Sequence, residues 1–270
     1  MTAYKNDSAI RQLLNDLLKK DLEQDVIDLI EDFRQKTIYS KSIDIYDDGI
    51  GRVDYVNHMG DDLTVVNSAR VSFGVEKDEL DGRDKRLINY LIEHRHTSTL
   101  EHNLITFRFT VPMYVRSQHH RHRTWSYNEI SRRYTDVNIK FYEPKEFRTQ
   151  HKSNRQASNA EELINPEIEL DGFSMYAMQS LLADDAVLFH NRCSLELFNK
   201  LIEAGVCREQ ARGVLPQNLY TEYYGTVNLS NLLKFIDLRT HEGAQWEIQK
   251  VAEACLEIAT DLFPETGCLS

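Results

Sequence analysis

The sequence predicts an α+β fold in which a largely antiparallel sheet is flanked by helices. Strand-like and helix-like segments both occur, and they follow one another without the regular alternation that is typical of a parallel sheet. A chain of 270 residues with 41% hydrophobic residues can also bury one substantial core. We therefore expect one main domain over residues 43–270, preceded by a helical N-terminal extension over residues 1–42.

The first half of the chain mixes both kinds of segment. Between Ser8 and Arg34, apolar residues recur at helical spacing and predict one or two amphipathic helices. The segment from Ile43 to Val66 is rich in β-branched residues and glycine turns, which favours strands. A helix is predicted over Asp84–Arg95. Its apolar face comprises Leu87, Ile88, Leu91 and Ile92.

A strand is predicted over Leu104–Val111, where apolar residues occupy every second position. They are Ile105, Phe107, Phe109 and Val111. Pro112 suits the first turn of a helix, because its missing N–H would be unpaired there, and we expect a short helix from Pro112 into His122. The polar segment Asn138–Glu169 predicts a loop.

The second half predicts mostly helices. A helix-rich tract is expected over Phe173–Ala204, and Gly205 supplies its C-terminal stop. The remaining elements predicted are a short helix over Arg208–Leu215, a strand over Leu219–Val227, and helices over Leu229–Leu238 and Gln245–Leu262.

Composition excludes several classes of protein. A net charge of -11 argues against a surface devoted to nucleic acid or to an anionic membrane. No segment approaches the roughly 18 apolar residues of a membrane helix, and the segment after Met1 lacks the pattern of a secretory signal. We therefore expect a cytoplasmic protein without nucleic-acid or membrane partners. The 4 cysteines form no C-x-x-C pair, so we expect reduced thiols.

One short segment is strongly basic although the chain as a whole is acidic. The cationic side chains are Arg116, His119, His120, Arg121, His122, Arg123, Arg132 and Arg133, and the only acid among them is Glu129. Several guanidinium groups together suit a phosphate ligand, and the interleaved Trp125, Tyr127 and Tyr134 offer flat faces for stacking. The alternative is a solvated, salt-bridged face.

Within this segment, Arg121–Tyr134 has the sequence RHRTWSYNEISRRY. It resembles the signature of the flavin-dependent thymidylate synthase (ThyX) family, in which R-H-R is followed after seven residues by serine. The similarity covers roughly residues 43 to 262. Further matching segments are Ala69–Phe73, His96–His102, Leu215–Tyr220, Thr226–Asn228, Leu238–Arg239 and Gln245–Glu247.

The resemblance implies reductive methylation of deoxyuridylate (dUMP) to thymidylate. Methylenetetrahydrofolate would donate the carbon, and FAD resupplied by NADPH would donate the hydride. It also implies a homotetramer with active sites shared between subunits, and FAD bound without a Rossmann motif. The lone Gly49-x-Gly51 agrees, because it lacks the third glycine and predicts a turn.

The resemblance assigns the substrate to two segments and two isolated arginines. They are Gln118, His119, His120 and Arg121; Glu129, Ile130, Ser131, Arg132 and Arg133; and Arg212 and Arg239. Gln118 and Arg121 are three residues apart on the predicted helix and so face one ligand.

Two residues are assigned to catalysis. Arg239 matches the arginine that stabilises the ionised uracil ring, since a guanidinium beside an imide nitrogen favours the electron-rich form. Ser131 matches a serine near the uracil. Without the family match, Arg239 would be a charge at a helix end, and Ser131 would be a turn residue.

The flavin is assigned to a second set of residues. They are His96, Ser98, Arg121, His122, Arg123, Glu129 and Asn228. Where relatives carry Arg and Asn just beyond Asn228, this chain has Ser230 and Lys234, and Lys234 is the candidate to replace the lost charge. A metal site at His94, His96 and His102 is the alternative for that segment, but carboxylates at ligand spacing are missing, so no metal is predicted.

Two other functions stay open at this point. One is a nucleotide-binding regulatory protein that keeps the arginine site without turnover. The other is a single-strand nucleic-acid binder built on the arginine and aromatic cluster, which the net charge disfavours. A flavin spectrum of the purified protein distinguishes the enzyme from both.

Overall fold

A computed structural model describes residues 41–155, 157–169 and 181–267. Residues 1–40 of the predicted N-terminal extension therefore lie outside the described residues, and Ser42 already belongs to a strand. Within the described part, a five-stranded sheet is accompanied by helices and two small antiparallel ribbons. The predicted α+β class with a largely antiparallel sheet is confirmed.

The main sheet has the strand order β1-β2-β3-β9-β4, and every neighbouring pair is antiparallel. The strands of the chain are β1 Ser42–Asp44, β2 Arg52–Met59, β3 Leu104–Pro112, β4 Ser126–Glu129, β5 Phe147–Gln150, β6 Ser158–Ile164, β7 Glu167–Ile168, β8 Leu181–Leu182 and β9 Tyr220–Asn228. The predicted turn at Gly49 is confirmed, because Gly49 has a φ of 67° between β1 and β2.

Strands β3 and β9 form the centre of the sheet. They pair along their whole length, from Leu104 opposite Asn228 to Pro112 opposite Tyr220. The predicted alternation along β3 is confirmed, since its odd-numbered residues from Ile105 to Val111 have no exposed surface. The two ends of this strand pair define two ends of the sheet, the Leu104/Asn228 end and the Pro112/Tyr220 end.

The helices are α1 Asp62–Arg70, α2 Gly82–Glu93, α3 Met113–His119, α4 Ala183–Glu203, α5 Arg208–Ala211, α6 Leu229–Thr240 and α7 Trp246–Leu262. Short 3-10 segments occupy Val71–Phe73, Thr97–Leu100 and Arg212–Val214. The predicted helices that correspond to α2, α5, α6 and α7 are confirmed. Among the described residues, no helix is long and apolar enough to cross a membrane.

The strands expected after Ile43 are confirmed as β1 and β2, but the expectation was wrong from Asp62 to Val66, because α1 begins at Asp62. Asp61 and Thr64 form a capping box: the Asp61 side chain accepts from the backbone N–H of Thr64, and the Thr64 hydroxyl accepts from that of Asp61. These bonds satisfy N–H groups that a helix start leaves free. The local cap therefore outweighs the β propensity of the valines in α1.

Helix α3 ends at His119, and the expectation that it runs into His122 was wrong. The hydroxyl of Tyr127 donates to the carbonyl oxygens of His119 (2.9 Å) and His122 (3.2 Å). The same two carbonyls also accept from the backbone N–H groups of His122 (2.9 Å) and Trp125 (3.4 Å), so the chain forms hydrogen-bonded turns here and not a further turn of α-helix. Arg121 consequently lies in a turn after the helix, not on one helical face with Gln118.

The expectation of a loop over Asn138–Glu169 was also wrong. Strands β5 and β6 pair in an antiparallel ribbon, and β7 pairs with β8. The polar residues contribute to this ribbon, since Arg148 on β5 donates to the hydroxyl of Ser158 on β6 at 2.9 Å. Helix α4 begins at Ala183, after β8, and it ends before Gly205, whose φ is 88°. The first part of the predicted helix-rich tract, residues 173–180, lies outside the described residues.

Candidate active site

The arginine motif is attached to the sheet through β4. This strand pairs with β9 from Ser126 opposite Thr226 to Glu129 opposite Tyr223. The neighbouring Gly225 makes room for Trp125: a Cβ there would lie 3.2 Å from the indole and 2.9 Å from Phe109. Trp125 is 6% exposed, so its ring lies in the core and not on the ligand side that the sequence suggested.

A cavity of about 430 Å³ lies at the Pro112/Tyr220 end of the sheet. It is lined by α3, by the end of β4 with the residues that follow, and by the segment from Arg212 to Thr221. Its polar wall comprises Arg116, Glu129, Ser131, Arg132 and Arg212, beside Ile130. We call it the arginine cavity. Five of the residues that the resemblance assigned to substrate meet here.

One arginine in the cavity wall is neutralised. Arg116 donates twice to the carboxylate of Glu129, at 2.9 and 2.6 Å, and the Thr221 hydroxyl donates to the same carboxylate at 2.7 Å. The Glu129 side chain is therefore held by the protein itself. Sequence reasoning placed Arg116 in the basic cluster but gave it no role, because nothing in the local pattern shows that it faces Glu129.

Two other arginines of the cavity have no carboxylate partner in the described part of the chain. Arg132 donates to the backbone oxygen of Val137 at 2.8 Å, while its buried Nε has no partner. Burial lowers the pKa of Arg132, and Asp136 partly offsets this effect. Arg212 is exposed and takes part in none of the ion pairs between described residues. Both guanidinium groups are thus available to an anion.

Ser131 lines this cavity, and Arg133 follows it two positions later in the chain. The Ser131 hydroxyl accepts from the backbone N–H of Arg133 at 3.3 Å, and among the described residues no basic side chain bonds to it. Arg133 is exposed, and its guanidinium lies 5.3 Å from the ring centre of Tyr134 and donates to that hydroxyl. A serine without a neighbouring base is a poor nucleophile.

The motif histidines differ in environment. His119 has no exposed surface, its Nδ1 lies 2.8 Å from the Tyr223 hydroxyl, and burial lowers its pKa far below the usual range. Its side chain therefore belongs to the core, away from the cavity surface. His120 is partly exposed and stacks on Tyr127 with ring centres 4.0 Å apart. Burial and then Arg116 lower the pKa of His120.

Arg239 lies in the last turn of α6, where the sequence placed it. Its Nε donates to Nε2 of His122 at 3.1 Å. Burial, followed by the Arg239 charge, lowers the pKa of His122 to about 4, so this imidazole is neutral at pH 7 and accepts the bond. Burial also lowers the pKa of Arg239. Arg239 thus keeps a partly desolvated charge with no carboxylate among its described partners.

Gln118 and the exposed arginines of the motif lie on α3 and in the turn that follows it. Gln118 donates to the side-chain oxygen of Gln245, at the start of α7. Arg121 and Arg123 are exposed and make no ion pair with a described residue. Around α3 and the turn after it, several cations therefore have no carboxylate partner among the described residues.

The other flavin-side residues lie at the opposite end of the sheet. His96 and Ser98 are exposed just before β3, and Asn228 ends β9 opposite Leu104. Because β3 has nine residues, its two ends are roughly 26 Å apart. Within one chain, His96, Ser98 and Asn228 therefore lie at the end of the sheet opposite to the arginine cavity.

Asn228 and the two residues proposed beyond it, Ser230 and Lys234, differ in exposure and in hydrogen bonding. The Asn228 side chain accepts from the backbone N–H of Asn231 at 2.9 Å and so caps α6. Ser230 is 2% exposed and its buried hydroxyl has no partner, whereas Lys234 is exposed. Of the two, Lys234 alone reaches the surface. No group of three potential metal ligands occurs among the described residues.

Comparison with known proteins gives one consistent result. Residues 54–265 match the family model described as thymidylate synthase complementing protein. The flavin-dependent thymidylate synthase of Thermus thermophilus is 40% identical over 226 residues, which are 83% of this chain and 76% of that protein. The enzyme of the same name from Thermotoga neapolitana is 40% identical over 217 residues, covering 80% and 88% of the two chains.

A solved structure agrees with the sequence matches. The UMP/dUMP methylase PolB from Streptomyces cacaoi, bound with 5-Br UMP, superposes with a TM-score of 0.65 at 31% identity. The match covers 80% of this chain and 92% of that one. With the RHR motif next to an arginine-lined cavity, these matches establish that the chain belongs to the flavin-dependent thymidylate synthase family.

Proposed function

We propose that this protein is an enzyme that methylates dUMP to thymidylate with the help of a flavin. The observation that carries the proposal is the arginine cavity, where Arg132 and Arg212, which have no carboxylate partner among the described residues, meet Ser131 in a protein of net charge -11. Such groups suit the phosphate of a nucleotide. The family membership supplies the reaction, and the finer roles below are our proposals.

We assign the nucleotide to the arginine cavity and the residues beside it. Arg132 and Arg212 bind the phosphate, and the exposed Arg133 approaches it. The Arg116–Glu129 pair acts as a rigid wall that keeps residues 129–132 in place, since its bidentate geometry fixes both side chains. Gln118, His120, Arg121 and Ile130 complete the substrate contacts. The core position of His119 makes it a support for its neighbours.

Arg239 provides the main electrostatic contribution. When negative charge develops on the uracil ring, a nearby guanidinium stabilises it, and partial burial strengthens the interaction because less water screens it. The neutral His122 orients Arg239 without cancelling its charge. Ser131 contacts the substrate as a hydrogen-bonding group and not as a nucleophile, in keeping with its lack of a basic neighbour.

We propose FAD as the flavin. When bound and reduced by NADPH, FAD would supply the hydride that completes the methyl group, and methylenetetrahydrofolate would provide the carbon. The donor set fits such a cofactor: Arg121 and Arg123 are exposed cations suited to its pyrophosphate, and His96 and Ser98 are exposed polar groups. The proposed contacts also include His122, Glu129 and Asn228. Lys234 is preferred to Ser230, whose hydroxyl is buried.

We further propose that the active site is shared between subunits of a homotetramer. The positions of the cavity and of His96 and Ser98 at opposite ends of β3, a strand roughly 26 Å long, support this arrangement. A second subunit that presents its own His96 end to the cavity brings the two sets together. Hybrid oligomers test this idea: at dUMP concentrations below the raised KM of Arg212→Ala, a mixture of Arg212→Ala and His96→Ala subunits should be more active than either variant alone. Mixtures no more active than the separate variants, although hybrids form, would contradict it.

The function itself is tested with the purified full-length protein. We expect a flavin absorption spectrum, NADPH oxidation that is faster with dUMP, and thymidylate formation when methylenetetrahydrofolate is present. A nucleotide-binding regulatory protein would bind dUMP without product. Protein that gains neither flavin nor activity from added FAD would refute the proposal.

A further inference from the structure

A chain of four polar side chains connects α3 with the start of α7 and with β5. Gln118 donates through Nε2 to Oε1 of Gln245. Gln245 in turn donates through Nε2 to Oε2 of Glu247 at 2.8 Å. Arg148 donates to Oε1 of Glu247, the other carboxylate oxygen, at 2.5 Å. We call these four residues the amide relay.

The Glu247 end of the relay is rigid. Glu247 is 4% exposed, and its partner Arg148 is also bonded to Ser158 and lies 4.9 Å from the ring centre of Trp246. An arginine in such a site is permanently charged and donates only, so it holds Glu247 as a carboxylate. The ion pair therefore fixes one end of the relay.

The chemistry of Glu247 sets the direction of each amide. A carboxylate has no proton to donate, so Gln245 must turn its NH₂ group towards Glu247 and its oxygen towards Gln118. Gln118 must then turn its own NH₂ group towards Gln245. Its oxygen, Oε1, accepts no hydrogen bond from the described residues. The relay thereby leaves a hydrogen-bond acceptor free on a residue that we assign to the nucleotide.

We infer that Glu247 is a positioning residue that acts through Gln245 to present the Gln118 oxygen to a hydrogen-bond donor of the bound nucleotide. The inference rests on the proposed function, in which Gln118 contacts dUMP. The nucleotide carries two neutral donors, the ring N3–H and the 3′-hydroxyl group. Without the relay, an amide has two orientations that differ only by exchange of oxygen and nitrogen.

Glu247→Gln should invert the relay while it preserves size and shape. Arg148 donates only, so it retains the new amide oxygen, and the new NH₂ group faces Gln245. Gln245 then reverses, and so does Gln118, which now presents NH₂ to a donor. The lost bond and the unpaired groups should raise the Kd for dUMP about tenfold or more.

Gln245→Met is the milder variant, since it interrupts the relay and leaves the Glu247–Arg148 ion pair intact. Gln118 then loses its fixed direction without being reversed. We expect the Kd for dUMP to rise about two- to fivefold. This variant also replaces Glu247→Gln in the experiment if the latter does not fold.

The deciding measurement is a double-mutant cycle in the FAD-loaded full-length protein, with dUMP affinity measured by calorimetry. If Glu247 acts through Gln118, then Glu247→Gln should change the affinity less than about twofold in a Gln118→Ala background. An equal loss in both backgrounds would overturn the inference, because a merely structural effect is additive. FAD content and melting temperature serve as controls.

A second nucleotide locates the donor. If the penalty of Glu247→Gln persists with 2′,3′-dideoxyuridylate, the donor is the ring N3–H, and if it vanishes the donor is the 3′-hydroxyl. Either result supports the relay. If the wild-type protein does not bind dUMP, both the proposed function and the inference about the relay are refuted. If the wild-type protein binds dUMP but the losses are additive, only the inference about the relay is refuted.

Discussion

Arg70 and Lys77, which pack beside α2, lie against a buried carboxylate, whereas most cations around the arginine cavity do not. In the first region, Arg70 and Lys77 both bond to the fully buried Asp84, and Lys77 also bonds to Asp81. Around the cavity, among the described residues, Arg116 alone is bonded to a carboxylate of the motif. Arg121, Arg123, Arg132, Arg133, Arg212 and Arg239 lack such a partner.

The difference separates two uses of positive charge. A cation whose carboxylate is already supplied stabilises the fold, because the pair and its hydrogen bonds satisfy buried groups. A cation that is partly desolvated without a carboxylate gains its partner only from a ligand. Substitutions in the two regions should therefore affect different measurements, stability in the first and substrate affinity or turnover in the second.

The largest effect on stability is expected for Asp84→Ala. It removes the carboxylate that receives Arg70 and Lys77 and that caps α2 through the backbone N–H of Asp81. Removing one partner of a buried pair typically costs 3–5 kcal/mol. We expect about 3 kcal/mol in the free energy of unfolding, since both cations remain partly hydrated. Denaturant unfolding measures it, and FAD content and KM for dUMP in the folded protein should not change.

The same carboxylate predicts a dependence on pH. Burial raises the pKa of Asp84, but hydrogen bonds from Lys77, the Asp81 backbone and Arg70 lower it to about 2, below the ordinary 3.8. Its stabilisation is therefore complete above about pH 4 and is lost as pH falls towards 2. The stability difference between wild type and Asp84→Ala should shrink over that range. A constant difference would contradict the charge argument.

The largest effect on turnover is expected for Arg239→Ala. A charge-assisted hydrogen bond is worth about 1.5–3 kcal/mol, and partial desolvation increases its value in the transition state. Thymidylate formation should fall at least roughly ten- to a hundredfold. The variant should retain FAD, the oligomer and the wild-type melting temperature. Wild-type turnover would overturn the assigned role.

How far the sequence predicts the fold depends on how local each signal is. The β3 alternation and the periodicity of α7 predict their elements, because neighbours in the chain decide them. The β5–β6 ribbon was missed, since Arg148 is anchored there by Glu247, 99 residues away. The start of α1 was missed for another reason. Asp61 is a local signal for a helix start, but the prediction gave more weight to the β propensity of the valines that follow.

Prediction of the candidate site from the sequence is likewise limited to what neighbouring residues in the chain decide. The motif identifies its residues, but composition does not reveal which way a side chain points. His119 and Trp125 turn into the core because β4 pairs with β9, almost a hundred residues later in the chain. The Arg116–Glu129 pair and the amide relay likewise arise from contacts between separate elements. Residue types are therefore predictable here, whereas their orientations are not.

Arg212→Ala should act mainly on substrate binding. The side chain lines the arginine cavity and makes no ion pair with a described residue, so its charge is available to the phosphate. Losing one charge-assisted contact should raise KM for dUMP about tenfold, with a smaller change in kcat. Steady-state kinetics at varied dUMP measure both values. A change in kcat alone would argue against a role in phosphate binding.

Ser131→Ala should be milder, at most about a fivefold loss, because it removes a neutral hydrogen bond. Turnover should survive, since among the described residues no base contacts the hydroxyl to make it a nucleophile. Product formation by the FAD-loaded variant is the measurement. Complete loss of methylation in a variant that still binds dUMP would favour a covalent mechanism over activation by Arg239.

The smallest effect is expected for Arg208→Ala, the matched control for Arg212→Ala. The two arginines are four residues apart, but Arg208 is bonded to Asp136 at 3.0 Å and both partners are more than 40% exposed. Exposed ion pairs contribute little, because water and salt screen them. KM and kcat should therefore stay within about twofold of wild type. If Arg208→Ala instead raised KM as much as Arg212→Ala, an internal carboxylate partner would not distinguish structural cations from ligand-binding ones, and the contrast between the two regions would fail.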